Sequence, residues 1–405
     1  MEQRYTAQEK RFLIACFIAY SAAYISRTNL SPALDAIQAT FHLSATRLGL
    51  LPTAFALPYA FGQIVTGFFV DRHRPQRFML VGLLGSALAN VLFSLSRSYT
   101  MMLVLWVING IFQSMIWTPL VRIVDRYFRD ETRARALFHV SITLIVGYLC
   151  AWALSGFLTA YLNWNIAFRA SGIVTAALAI GSYLSMRDDP ERADDRPRTR
   201  IDAKGSEISV FKLLFGTDLL LLLLTCVCNG YVRDGIMNWA PKLLVETQGF
   251  ALDSAVGVAL IIPLINFLGI QIGKRIYMKT GGLVRNAIAR MVLANIVCEA
   301  LLLAGYRGGA LLCALFLGAC SAMAYGINPL MTSFLPMEYH STGRVGFVAG
   351  MVDALIYVGS ALSGTATGAL SGRFGWGGVF VSWILCSLLG LASLVLAIRI
   401  RRLYR

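Results

Sequence analysis

The chain has 405 residues, of which 57% are apolar and only 14% charged, with a mean hydropathy of +0.65. Soluble domains carry roughly a quarter of their residues as charges, so this deficit excludes a soluble globular protein and points to long stretches written for lipid. The 36 Lys and Arg against 21 Asp and Glu, a net +15, fit either nucleic-acid binding or basic loops on one side of a membrane, and the placement of the charges decides between them.

Apolar runs punctuated by Gly, Pro and charge clusters predict an all-α integral membrane protein with twelve transmembrane helices. They fall near 12–35, 48–70, 78–96, 101–125, 136–160, 164–186, 211–240, 251–273, 284–305, 309–333, 344–370 and 376–398. With the N-terminus inside, the inner segments collect Arg4, Lys10 and Arg11, then Arg72, Arg74 and Arg77, then Arg126, Arg129, Arg133 and Arg135, and most of the later basic residues. The opposite loops hold Arg47, Arg97, Lys242, Arg307 and Arg373. This bias predicts cytoplasmic termini in a multi-pass protein of the cell's inner (plasma) membrane, and it absorbs the basic excess without nucleic acid. The segment 1–11 is polar and the first apolar run reaches spanning length, so no cleavable signal is expected. All eight cysteines fall inside the spans. Cys226 and Cys228 are too close for a usual zinc motif and have no His nearby, so they read as packing residues, and neither a metal nor another cofactor is expected.

A polar stretch at 187–200 follows the sixth span and has no apolar face to bury. It predicts a six-helix bundle over 1–186, a cytoplasmic linker over 187–210 and a second six-helix bundle over 211–405. The halves echo one another: Gly156-x-Leu158, Trp164 and Phe168 recur with identical spacing as Gly368-x-Leu370, Trp376 and Phe380. Repeated halves are the sequence sign of a carrier whose site lies between them and is exposed alternately to each side. After the second span, Gly67-x-x-x-Asp71-Arg72-x-x-Pro75-x-Arg77 resembles the signature loop of the major facilitator superfamily, with His73 or Arg74 where that family has Gly. The resemblance implies that superfamily's fold and a conformational latch at Asp71 and Arg72. On the residues alone, the loop reads as a basic turn with a charge at a helix end.

Charges inside spans carry the chemistry, because an Arg at mid-membrane costs roughly 2.5–3.5 kcal/mol even on the lenient insertion scale. Arg27 lies in the first span and Arg233 in the seventh, separated by nearly the repeat offset, so they occupy corresponding places in the two halves. Two planar guanidinium forks at similar depth suit a phosphate or a carboxylate. The competing reading is that each snorkels to an interface. Tyr24 and Tyr20 share a helix with Arg27, and Tyr231 and Trp239 share one with Arg233. All four are candidates to line the cavity, although aromatic residues at that spacing also serve as packing.

The run Arg233-Asp234-Gly235-x-x-x-Trp239-Ala240-Pro241 is similar to the seventh-helix motif of the organophosphate:phosphate antiporters, a branch of the superfamily that includes the glycerol-3-phosphate and hexose-phosphate transporters. Asn109-Gly110-x-x-Gln113-Ser114-x-x-Trp117-Thr118-Pro119-x-x-Arg122 resembles that family's fourth helix, with Thr118 replacing a proline. The resemblance implies a secondary active transporter, not an enzyme, in which Arg27 and Arg233 hold a substrate phosphate. Trp117 and Gln63 are then nearby site residues, and inorganic phosphate or protons are the coupling ion. Two departures stand against a phosphate ester: Gln63 falls where the glycerol-3-phosphate transporters carry a lysine, and Leu144 where they carry a histidine. Arg27-Thr-Asn-Leu-Ser31 is also similar to the first helix of the anion:cation symporters, which carry sugar acids with protons. The expected partners are therefore a small anionic substrate and the lipid bilayer, the expected state is a monomer, and a transporter-like sensor is the alternative.

Three further polar residues fall inside spans. Asp234 and Asp353 are the candidate coupling or ion-pair residues, and Asp353 is expected to pair with Arg233 when the site is empty or to carry a coupled proton. Glu299 has no evident partner. His139 reads as interfacial. The four histidines are scattered, and no nucleophile and base are clustered as an enzyme would need.

Overall fold

Lipid offers no hydrogen bonds, so a spanning backbone must satisfy its own polar groups, and helices do so residue by residue. The computed structural model describes residues 5–69, 74–187, 210–215, 217–342 and 345–403, and among them no strand occurs. The helices are α1 (Ala7–Ile25), α2 (Leu30–Phe41), α3 (Ala45–Phe69), α4 (Pro75–Phe93), α5 (Tyr99–Gln113), α6 (Trp117–Tyr127), α7 (Asp130–Ser141) and α8 (Thr143–Tyr161). They continue as α9 (Trp164–Ser185), α10 (Val210–Phe215), α11 (Leu219–Gln248), α12 (Leu252–Ala259), α13 (Ile261–Lys279), α14 (Val284–Gly305), α15 (Ala310–Pro329) and α16 (Val345–Leu403). Among the described residues, nine helical stretches are long and apolar enough to cross a membrane, and the last, Phe347–Arg401, has length for two crossings. The broken pair α1–α2 and the single helix α3 occupy the first two expected spans.

Several expected spans are interrupted, and proline explains two of the breaks. Pro32 is the third residue of α2 and Pro119 the third of α6. Each ring would clash with the carbonyl four residues earlier, at Thr28 and Met115, so neither helix can run through those positions while the new one tolerates Pro in its first turn. The first span therefore breaks at 26–29 and the fourth at 114–116. The eleventh and twelfth spans join in one 59-residue helix whose backbone breaks at Gly375, φ 66°, a left-handed conformation that glycine adopts without penalty.

Backbone packing divides the chain into two units, Met1–Ile37 with Phe61–Ile201, and Gln38–Ala60 with Asp202–Arg405. In the first, α1 packs on α8 and α9, and α4 packs on α5 and α9. Its aromatic core includes Phe93 stacked on Phe168 at 4.3 Å between ring centroids and Trp106 at 5.0 Å from Phe93. In the second, α11 lies along α16, and α15 packs on α13 and α14. Gly230 of α11 meets the backbone of Ile356, and Gly359 of α16 meets that of Val227, so closely that neither position has room for a Cβ. Asp71 and Arg72, the expected latch, lie outside the described residues, as do residues 188–209 of the expected linker over 187–210.

Each unit ties the start of a long helix to later segments through ion pairs. In the first, Thr6 and Glu9 form a capping box that starts α1. The Glu9 carboxylate also accepts hydrogen bonds from the Arg129 backbone N–H at 3.0 Å, Arg129 Nε at 3.2 Å and Nη2 at 3.1 Å, and Thr132 Oγ1 at 2.7 Å. In the second, Arg285 pairs with Asp218 and Glu338, Glu338 pairs with Arg401, and Tyr339 donates to Asp218 at 2.9 Å. Burial alone would push the Glu9 carboxyl up, but the donors on Arg129, Thr6 and Thr132 outweigh it and hold the group well below the usual carboxylate range. A depressed acid contributes stability that is complete above its unfolded pKa and is lost as pH falls through the folded value. Glu9→Gln is therefore expected to cost about 2 kcal/mol at neutral pH, a figure kept low because Arg129 is part exposed. In thermal melts of the purified protein, the gap to wild type should stay constant down to about pH 5 and narrow only in stronger acid.

Candidate functional site

Arg27 sits in the turn between α1 and α2, half-buried. A broken helix leaves carbonyls unpaired, and here side-chain amides from other helices satisfy them. The Ser26 carbonyl accepts from Asn90 Nδ2 and from Asn109 Nδ2, both at 2.9 Å. Gln113, the last residue of α5 and itself at a helix break, donates from Nε2 to the Ala23 carbonyl at 2.9 Å, Ser26 Oγ at 3.0 Å and Ser86 Oγ at 2.9 Å. Its Oε1 accepts from Arg27 Nη2 at 3.3 Å. Ser26, Ser86, Asn90, Asn109 and Gln113 are fully buried, so the two breaks fix each other and present Arg27 from a rigid turn. The guanidinium lies 5.1 Å from the Tyr24 ring centroid.

In the second unit, Arg233 is buried, 8% exposed, in the middle of α11. Its Nε and Nη2 donate to the two carboxylate oxygens of Asp234 at 2.7 and 2.8 Å, and its Nη1 donates to Asn328 Oδ1 at 2.6 Å. The Tyr325 and Tyr357 rings lie 5.7 and 5.9 Å from the guanidinium carbon. Asn328 stands one residue before Pro329, where α15 gives way to a π-helical turn over Leu330–Phe334, the kind of irregularity that recurs at functional sites. Each arginine thus has a carboxamide oxygen on a neighbouring helix of its own unit. A neutral amide orients each fork without adding charge, whereas at Arg233 the Asp234 carboxylate already occupies two donors, so an anion there has to displace it or share the fork.

Of the residues singled out in the sequence, Tyr24 lies against Arg27, and Trp117 packs on Tyr20 at 5.1 Å. Gln63 Oε1 accepts from Thr118 Oγ1 at 3.1 Å, which draws the second and fourth spans together at the position where the similar family has a lysine. Tyr231 bonds Ser382 at 3.0 Å, and Trp239 is fully buried against Trp376 at 6.2 Å. The ion pair to Arg233 is made by Asp234, its sequence neighbour; Asp353 lies half-buried on α16, where its charge bears on Cys226. His139 lies on α7, outside the apolar helix α8, and its Nδ1 meets the Tyr5 hydroxyl at 3.1 Å. The sequence reading missed Asn328, Tyr325 and Tyr357, and it quoted Gln113 only as part of a motif. Pro329 beside Asn328, and Pro119 shortly after Gln113, were the available signals of helix breaks where side chains cap the backbone.

Apolar helices of spanning length, interrupted where polar side chains surround an arginine, are features of a membrane transporter. The sequence profile described as Major Facilitator Superfamily matches residues 16–362, and the chain belongs to that superfamily. It is 27% identical to the glycerol-3-phosphate transporter of Bacillus subtilis (strain 168) over 62% of this chain and 61% of that protein. It is 22% identical to a probable hexose phosphate transport protein of Chlamydia trachomatis serovar D over 96% of this chain and 91% of that one. Its fold matches the crystal structure of a bacterial homologue of the human lysosomal transporter Spinster, inward-facing and occupied, with a TM-score of 0.76 at 18% identity, covering 98% of each chain.

Proposed function

We propose that the protein is a secondary active transporter of a small organic anion, most simply a phosphate ester, which it exchanges for inorganic phosphate by alternating access. Arg27 and Arg233 bind the same anion, Tyr24, Tyr231, Gln63, Trp117 and Trp239 line its path, and Asp234 is the counter-ion that holds Arg233 when the site is empty. The carrier works as a monomer in the plasma membrane with both termini in the cytoplasm. The observation that carries this reading is the matched pair: an arginine in the first expected span of each half, each held by a carboxamide oxygen of its own unit. The similarity to glycerol-3-phosphate and hexose phosphate transport proteins supports the phosphate-ester class.

A second reading, a proton-coupled symporter of carboxylates, is favoured by Gln63, whose neutral amide leaves less positive charge for a dianion. Proteoliposomes holding the purified protein separate the two. Phosphate-loaded vesicles should take up labelled glycerol 3-phosphate or hexose 6-phosphate rapidly, and vesicles without a counter-anion should not. Accumulation of a labelled sugar acid into unloaded vesicles, driven by an inward proton gradient alone, would replace exchange of phosphate esters with the second reading.

A further inference from the structure

The second unit contains a buried carboxylate that the anion site does not use. Glu299 on α14 is 0% exposed. Its Oε1 accepts from Asn295 Nδ2 at 2.7 Å and from Ser387 Oγ at 2.9 Å, while its Oε2 has no hydrogen-bond partner among the described residues. No Lys, Arg or His forms an ion pair with it among those residues. Asn295 and Ser387 also line a small cavity, with room for roughly one water, whose wall includes Thr225, Asn229, Val232 and Ile327. Around it, Asn229 Nδ2 is an unsatisfied buried donor and Asn295 Oδ1 an unsatisfied buried acceptor. A water there would accept from Asn229 and donate to Asn295, and so connect the cavity to the partners of Glu299.

An unpaired carboxylate in such an interior costs several kcal/mol. A proton on Oε2 removes that charge, whereas an alkali cation would need five or six oxygens, more than this cluster offers. The titratable groups that the charge of Glu299 reaches are the thiols of Cys298 on its own helix, Cys320 on α15 and Cys386 on α16. The charged groups on its own helix and on those packed against it include Arg285 and Arg290 of α14, Lys274, Arg275 and Lys279 of α13, and Asp353, Arg373, Arg399 and Arg401 of α16, while Arg233 and Asp234 lie on α11. The cavity adjoins the anion site through two segments: Val232 precedes Arg233, and Ile327 precedes Asn328, which bonds Arg233.

We propose that Glu299 is a proton-binding site linked to the anion site of the second unit. The carboxylate takes one proton from water through the cavity, forming an O–H bond and losing its charge, when an anion binds at Arg233, and it returns the proton when the anion leaves. The direction follows from charge: an anion at Arg233 disfavours a second negative charge next to that segment, and by linkage a neutral Glu299 favours the anion. This inference rests on the proposed anion transport, and it makes the coupling proton-dependent through a residue other than Asp353.

The test compares wild type with Glu299→Gln, which is neutral at every pH, and with Asp353→Asn. Exchange of labelled for unlabelled inorganic phosphate in proteoliposomes is measured from about pH 5.5 to 8.5, where the titration of phosphate itself is common to all variants. In wild type, the apparent affinity should fall with rising pH by up to about tenfold per unit more than in Glu299→Gln. Asp353→Asn should follow wild type. Parallel profiles for wild type and Glu299→Gln, or a profile flattened by Asp353→Asn instead, would overturn the assignment. Melting temperatures without any anion read the same proton independently: wild type and Glu299→Gln should diverge with pH, and parallel curves overturn the proposal even if wild type exchanges no phosphate. That last result on its own would sink only the transport reading. Stabilisation of wild type but not Glu299→Gln by sodium over potassium at constant pH would make the ligand sodium and overturn the proton. Should Glu299→Gln fail to fold, Asn295→Ala takes its place and should move the pH midpoint; an unmoved midpoint overturns the proposal.

Discussion

Replacing Arg27 or Arg233 with alanine is expected to abolish anion binding while leaving insertion and folding intact. Truncating one partner of a buried, hydrogen-bonded charge pair costs about 2–5 kcal/mol, a loss of roughly thirty- to several-thousand-fold in affinity. Folding should survive at Arg27 because the turn that carries it is held by Asn90, Asn109 and Gln113 acting on the backbone, not on the guanidinium. Lysine should rescue neither position, since a point charge cannot reproduce a planar fork directed by a carboxamide. Thermal stabilisation by phosphate and by phosphate esters measures both effects, and normal ligand shifts in the two alanine variants would remove the arginines from the site.

Asp234→Asn should have the opposite sign on affinity. The Asp234 carboxylate occupies two of the Arg233 donors, so an incoming anion must displace it or share the fork. Removing that resident charge should tighten anion binding by roughly tenfold, the scale of one hydrogen bond to a charged group, and slow turnover because the departing anion then has no competitor. Half-saturating phosphate in thermal shift and the exchange rate in proteoliposomes report the two quantities. Weaker binding in Asp234→Asn would mean that the carboxylate orients the fork for the anion instead of competing with it.

The apolar spans were legible because composition over about twenty residues records immersion in lipid directly. Their interruptions were harder to see, since the polar run at 26–29 is short enough to fall inside an apolar window and only Pro32 and Pro119 mark the backbone's inability to continue. The arginines stood out as expensive charges, but their partners did not. Gln113 and Asn328 are far from them in sequence and are ordinary residue types whose importance comes from position. Asp234 was named with Asp353 as a candidate ion-pair residue, but side chains of neighbours on a helix ordinarily point apart, so only the structure shows the arginine side chain curling back onto the Asp234 carboxylate. Glu299 was visible as an isolated charge, while its cluster with Asn295 and Ser387 spans two helices and needed the fold.

Because Arg233 and Asp234 are consecutive residues of one helix, their pairing needs no second element and persists through any rigid movement of that helix. A lone charge carried through part of the membrane voltage exchanges energy with it, about 2.3 kcal/mol per elementary charge per 100 mV for a full crossing. A positive and a negative charge bound side by side experience equal and opposite work. In the proposed cycle this pair therefore moves without sensing the voltage, and electrogenicity comes from other charges, among them Arg27, Asp353, the bound anion or an accompanying ion.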